Sequence, residues 1–228
     1  MERIVDLSGP IENGMWGYHL LPGLEDAVPP VEVEACASIE EHGFFSSRIQ
    51  MSTVSGTYLE AGSHVLPDGK NIDEYPPGRF IRPAALVRLP QQEPNALIDA
   101  AFLQEHAPEI EPGAAVIIDS GWYRRWNMPG YVLECPHYKK DALGWVLSKK
   151  PSIFGVDVPC IEAAWSEDDG EQKGSLLAAL FRAGALLVAP LVNLDSIRTA
   201  FGTLLCFPLL VRGTSGAPAR VLYVEEQG

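Results

Sequence analysis

Prolines and glycines are spaced along the whole chain, 19 and 21 of them in 228 residues. Each proline fixes φ and removes a backbone donor, and each glycine weakens the interior of a helix or strand. A chain punctuated in this way folds as many short elements joined by turns. Its length fits one domain, residues 1–228, with a core large enough to need no disulfide or metal staple. Hydrophobic residues make up 46% and charged residues 21%, a globular composition, and there is no internal repeat, low-complexity tract or long linker.

Strand patterns cover residues 3–7, 31–39, 44–55, 84–89, 114–118, 152–158 and 185–190, and 203–212 with 220–225 reads as a closing pair. Helical patterns cover 95–106, 141–149 with Asp141 placed to cap it, and 174–183. A loop bearing the aromatics Trp16, Tyr18 and His19 follows the first strand. This order predicts an α/β protein with a mixed sheet or barrel. It alternates too loosely for a Rossmann fold or a (β/α)8 barrel.

Several function classes drop out. The formal charge of −13 sets the chain against phosphate backbones and anionic lipid, so nucleic acid and membrane surfaces are not expected partners. No window reads as a membrane span and the first residues do not read as a signal peptide, so a cytoplasmic location is expected. Cys36, Cys135, Cys160 and Cys206 form no CxxC pair and read as free thiols. No phosphate-binding glycine loop, GxSxG elbow or HExxH helix is present. The acidic run 166–171 lacks the ligand spacing of a calcium loop and reads as solvated.

Residues 54–64 carry the chemical signal: Val-Ser-Gly-Thr-Tyr-Leu-Glu-Ala-Gly-Ser-His. In an extended segment Tyr58 and Glu60 face one side. His64 lies four residues beyond, across a bend at Gly62, so the three can converge on one cavity. A donor, a carboxylate and an imidazole suit general acid–base work. By spacing alone, a surface loop with a structural Glu–His hydrogen bond is the plainer reading.

The segment resembles a degenerate form of the HxGTHxDxPxH motif of the cyclase / bacterial kynurenine formamidase family, a set of metal-dependent hydrolases. Gly56 and Thr57 match its Gly-Thr, and His64 its last His. Glu60 stands where the family has Asp, Val54 and Tyr58 where it has two histidine ligands, and Gly62 where it has Pro. Residues 141–146 resemble its "AAxWL" helix, 154–162 its "VGxDTPSxD", with Cys160 and Glu162 for Ser and Asp, and 183–191 its "xGxxIxExL". Residues 207–210 and 218–221 resemble its closing "LPLxxxGxxxxPxRxV". The resemblance runs from Asp6 to Val221. It implies the family's swivelling β/β/α fold, an α/β domain with a mixed, partly barrel-like central sheet flanked by helices, and a homodimer.

The departures from the pattern fall on the metal centre. By the spacing of the resembling segments, the family's later His and Glu ligands fall at Leu177 and Ala189. Of its usual metal-directed side chains only Glu60 and His64 survive, whereas a catalytic zinc needs about three protein ligands. Tyr58 is a poor ligand at an ordinary pKa near 10. No metal and no other cofactor is therefore expected.

The resemblance implies an enzyme acting on a small cyclic or aromatic amide, lactone or activated carbonyl, by hydrolysis or by ring-forming or isomerising acid–base chemistry. Glu60, His64 and Tyr58 are its expected catalytic residues, with His64 raised in pKa by the carboxylate. Trp16, Tyr18, His19 and His137 are expected to bind the substrate, a small molecule. Arg124 and Arg125, in the aromatic–basic cluster 122–126, read either as a carboxylate clamp or as internally paired. Cys160 reads as a buried thiol before it reads as a nucleophile. Two alternatives stand beside this reading: a metal-dependent arylformamidase-like hydrolase with a non-standard site, and a ligand-binding homologue without chemistry.

Overall fold

A computed structural model describes residues 3–162 and 175–225. The acidic run 166–171 lies outside the described residues. Twelve short strands are present among them: β1 Ile4–Asp6, β2 Glu32–Ala37, β3 Ser46–Gln50, β4 Tyr58–Glu60, β5 Ile81–Arg88, β6 Leu97–Ile98, β7 Ala115–Asp119, β8 His137–Tyr138, β9 Ile153–Val156, β10 Leu186–Ala189, β11 Phe201–Pro208 and β12 Gly216–Glu225. The helices are α1 Ile39–His42, α2 Ala100–His106, α3 Lys140–Ser148 and α4 Ser175–Arg182.

The main sheet runs β1-β12-β11-β5-β7-β9-β10-β4, and β12 also pairs with β4. That last pairing closes seven of the eight strands into a barrel, with β1 attached outside on β12. The β5-β7-β9-β10 stretch is parallel and the remaining pairings are antiparallel. The fold is the mixed, barrel-like α/β class expected from the order of elements.

Alternation along the strands divides the core in two. In β7, Ala115 and Ile117 join Leu59, Leu86, Ile153, Val188, Leu204 and Tyr223 inside the ring. Val116 and Ile118 point the other way, packing with Phe154 and Leu187 under α3 and α4. Because the side-chain period of a strand is two, β4 sends Leu59 into the first core. Tyr58 and Glu60 therefore face the helix-covered side.

Some expected elements differ in extent. The helical pattern at 95–106 splits into β6 and α2, because the Asp99 side chain accepts the Phe102 N–H at 3.0 Å and starts the helix there. Asp141 is inside the first turn of α3 rather than at its cap, which falls on Lys139. The strand expected over 44–55 ends at Gln50. It pairs only with β2, in a two-stranded sheet apart from the barrel.

Candidate active site

The segment 54–64 is shaped by small residues. Gly56 has φ +67°, a left-handed conformation that a side chain resists, and it turns the chain into β4. The Thr57 hydroxyl then donates to the Pro190 carbonyl at 2.7 Å and accepts the Gly9 N–H at 2.9 Å, tying the turn to two other segments. β4 sits between β10 and β12, with Glu60 in register with Leu187 and Gly216. After Ala61 the chain bends through a 3-10 turn, Gly62–His64. Gly69 packs there so closely that a Cβ would lie 2.2 Å from the Gly62 carbonyl carbon. This bend brings His64 back over Glu60.

Tyr58, Glu60 and His64 line one cavity of about 420 Å³. Its other walls are Tyr18, Leu21, Leu24 and Val28 from the N-terminal loop, Val54 and Val65 beside β4, Pro159, Cys160 and Glu162 after β9, Leu177 of α4 and Leu187 of β10. Val54 and Leu177, where the family pattern places metal ligands, thus present hydrocarbon to the same cavity. Ala189 lies behind it, in register with Tyr58.

Oε1 of Glu60 is 3.2 Å from Nδ1 of His64. The Glu60 side chain is 3% exposed and that of His64 36%. Burial, and then the negative charge of Glu162, push the Glu60 carboxyl up to about 8. Burial pushes His64 below its ordinary value of 6.5. The expectation of a raised His64 is therefore corrected: a carboxylate supports an imidazolium only when it is itself charged, and desolvation keeps Glu60 in its acid form. At neutral pH the pair is a carboxylic acid and a neutral imidazole and carries no net charge.

Tyr18 donates to the Pro159 carbonyl at 2.5 Å, and its oxygen is 2.8 Å from the Tyr58 oxygen. The Tyr58 hydroxyl shares this contact with Tyr18 and also reaches the Pro159 carbonyl at 3.4 Å. Burial pushes both phenols well above their ordinary pKa, so both keep their protons.

The other expected binding residues lie elsewhere. Trp16 is buried, edge-on to Trp126 at 5.2 Å and to Tyr18 at 5.7 Å, and so backs Tyr18 instead of meeting the cavity. His19 is half-buried and its Nδ1 has no partner among the described residues. His137 is buried in β8 with Nδ1 3.2 Å from the Cys135 carbonyl. Neither histidine is in the cavity wall. Cys160 is, but burial raises its thiol to about 12, which suits a packed thiol and not a thiolate nucleophile. Arg124 lies over Tyr123 and faces Asp195 at 3.8 Å, while Arg125 lies over Trp122 and faces Glu134 at 3.4 Å. Both are internally paired.

Several residues of the cavity wall were not among the expected ones. Leu21 and its neighbours wall the cavity from a loop whose path no periodicity reveals. Glu162 was visible only as the acidic end of the segment 154–162.

The donor set does not fit a catalytic metal. Among the described residues no group of three His, Cys, Asp or Glu side chains converges as a metal site, and Val54 and Leu177, at two of the family pattern's ligand positions, present only hydrocarbon to the cavity.

Residues 5–163 match the family model Cyclase. A kynurenine formamidase of Bacillus cereus is 26% identical over 222 residues, spanning 96% of this chain and 95% of that protein. Isatin hydrolase A from Ralstonia solanacearum superposes with a TM-score of 0.85 at 21% identity, over 99% of this chain and 92% of the other. An isatin hydrolase bound to the product analogue thioisatinate gives a TM-score of 0.87 at 22% identity, over 99% and 93%. At such identities the structural likeness shows a shared fold.

Proposed function

This chain belongs to the Cyclase family, and from that premise we propose that it is an enzyme acting on a small cyclic or aromatic amide, lactone or activated carbonyl through a Glu60–His64 acid–base pair. The observation that carries the reading is the 3.2 Å contact between these two side chains in the wall of a largely apolar cavity. The relatives' names support the substrate class: a kynurenine formamidase and isatin hydrolases.

His64 takes a proton from the substrate group that attacks or enolises. Glu60 gives its proton to the oxygen that gains charge, and the Tyr58 hydroxyl turns from Tyr18 to donate to that oxygen. Tyr18 stays anchored on Pro159. The imidazolium then releases its new proton to solvent, which its half-exposed ring reaches, and the Glu60 carboxylate takes up a proton in turn, so both groups are restored.

The side chains present supply proton transfer and one oxyanion donor, but no group that makes hydroxide at neutral pH. General acid–base help is worth roughly 10²–10⁴-fold. That is enough for ring closure, ring opening of an activated carbonyl or isomerisation, and little for an unactivated amide. The reading is tested by assaying purified protein on lactones, cyclic imides and aryl formamides alongside Glu60→Gln and His64→Ala. Turnover that both substitutions abolish supports it. Turnover that survives both, or ligand binding without turnover, overturns it.

A further inference from the structure

Ser215 stands beside the Glu60–His64 pair, just ahead of the strand that closes the barrel on β4. Gly216 is in register with Glu60, and a Cβ on it would lie 2.7 Å from the Leu59 carbonyl oxygen, so the glycine lets β12 begin close against β4. Backbone bonds fix the residues before it. The Ser215 carbonyl accepts the Ala61 N–H at 2.8 Å, and the Thr214 carbonyl accepts the Ile72 N–H at 2.9 Å. The facing bend is fixed in turn, because the His64 N–H donates to the Ala61 carbonyl at 3.1 Å. The Ser215 hydroxyl oxygen thereby lies 3.5 Å from Nδ1 of His64. Oε1 of Glu60 approaches the same nitrogen at 3.2 Å.

Two oxygens thus face one ring nitrogen. A bare Nδ1 has one lone pair and accepts from one neighbour at a time, whereas an Nδ1–H can be shared between two acceptors. The partners of one ring nitrogen decide which of the two carries the proton. The two tautomers differ in what the pair can do. With the proton on Nε2, the O–H of the Glu60 acid is spent on Nδ1, and neither group can serve a substrate. With the proton on Nδ1, Oε1 of Glu60 acts as a carbonyl acceptor, its O–H is on the other oxygen, and Nε2 is bare.

We propose that Ser215 is a positioning residue: together with Oε1 of Glu60 it holds the His64 proton on Nδ1, so that Nε2 is the base and the Glu60 O–H is left for the substrate. The proposal rests on the acid–base reading of the pair and deepens it. Ser215 is not among the described residues of the cavity wall, and it acts through His64.

The tautomer can be read directly. The chain has five histidines, and proton–nitrogen correlation NMR on histidine-labelled protein at neutral pH resolves their ring nitrogens, with the spectrum of His64→Ala assigning His64. The wild type is expected to show a pyrrole-like shift at Nδ1 and a pyridine-like shift at Nε2. Ser215→Ala should move the tautomer ratio toward Nε2–H by about fivefold, the worth of one neutral hydrogen bond. Ser215→Thr keeps a hydroxyl and should restore the ratio. On a substrate that is turned over, Ser215→Ala should lower kcat by up to the same factor with KM unchanged. An Nε2–H tautomer in the wild type, or an unchanged ratio in Ser215→Ala, overturns the proposal, and so does a change in KM alone. If Ser215→Ala fails to fold, the wild-type spectrum still decides the tautomer. The spectra need no substrate, so a lack of turnover, which overturns the acid–base reading, is distinguished from a wrong tautomer.

Discussion

Oε1 of Glu60 lies 3.2 Å from Nδ1 of His64, with the carboxyl buried and the imidazole reaching solvent. The acid form of Glu60 persists up to about 8, and the neutral form of His64 persists below 6.5. The working state, acid plus neutral imidazole, therefore spans a window around neutrality. Turnover is expected to fall as pH rises through about 8, where Glu60 loses its proton. It is expected to fall again as pH drops through the lowered pKa of His64. Glu60→Gln should lower kcat by roughly 10²–10⁴-fold with the fold intact, and should remove the alkaline limb. A pH–rate profile whose alkaline limb survives in that variant would assign the limb to another group.

The hydroxyls of Tyr58 and Tyr18, 2.8 Å apart, separate donation from support. Tyr58→Phe removes the donor to the developing charge and should raise the barrier by roughly 2–4 kcal/mol. Tyr18→Phe removes only the group on which Tyr58 rests, so a loss of about tenfold or less is expected. Steady-state kinetics on both variants check the order, and a larger loss in Tyr18→Phe would reverse the assignment.

Much of this candidate site is legible in the sequence. The period of a strand put Tyr58 and Glu60 on one face, and the bend at Gly62 put His64 near them. The family pattern carried Val54 and Leu177 to what proved to be the same cavity. Other parts were not legible, for physical reasons. Whether a carboxyl is charged depends on burial and on a neighbour 102 positions away, Glu162, so local spacing gave His64 the wrong direction. His137 sits in a Pro-containing stretch that reads as loop, but the pairing of His137 with Leu97 and of Tyr138 with Ile98 makes it β8, where the imidazole is buried. Trp16 reads as an exposed aromatic until Trp126 and Tyr131 close over it.

The hairpin of β2 and β3 bears on assembly. Its two strands pair with each other alone, and Phe44, Phe45, Ile39 and Ile49 are all more than half exposed. An isolated two-stranded sheet with apolar side chains in water is marginal. A homodimer that covers this hairpin is expected, giving by light scattering about twice the chain mass of 24.8 kDa. Phe45→Asp should weaken it. A mass near that of one chain at micromolar concentration would count against the dimer.

Elemental analysis addresses the metal directly. Val54 and Leu177, in the cavity wall at two of the family pattern's ligand positions, cannot coordinate. Purified protein is expected to carry no stoichiometric transition metal, and exposure to chelator should leave turnover unchanged. About one zinc or manganese per chain, lost on Glu60→Gln or His64→Ala, would show that two side chains and water suffice here despite the usual need for about three protein ligands.

Stability should also report the state of Glu60. In the folded chain its carboxyl holds a proton up to about 8, against an ordinary value of 4.5. Between these pH values the folded state binds a proton that the unfolded chain has released. Stability therefore falls as pH rises through this window, by about 1.4 kcal/mol per pH unit from this group. Asp157, buried under the amides of Ser120 and Trp122 and raised to about 7 from 3.8, acts in the same direction. His64 acts in the opposite one, because its lowered pKa costs stability as pH falls below 6.5. The wild-type curve mixes all three, so the difference from Glu60→Gln isolates one. Glutamine has the shape of the protonated acid and never ionises. Urea unfolding at pH 5, 7 and 9 should then show the variant close to wild type at the lowest pH, and more stable by a few kcal/mol, roughly 3–5, at the highest. Parallel curves across that range would mean that Glu60 ionises in the folded state as it does in water, and the acid half of the pair would have to be sought elsewhere.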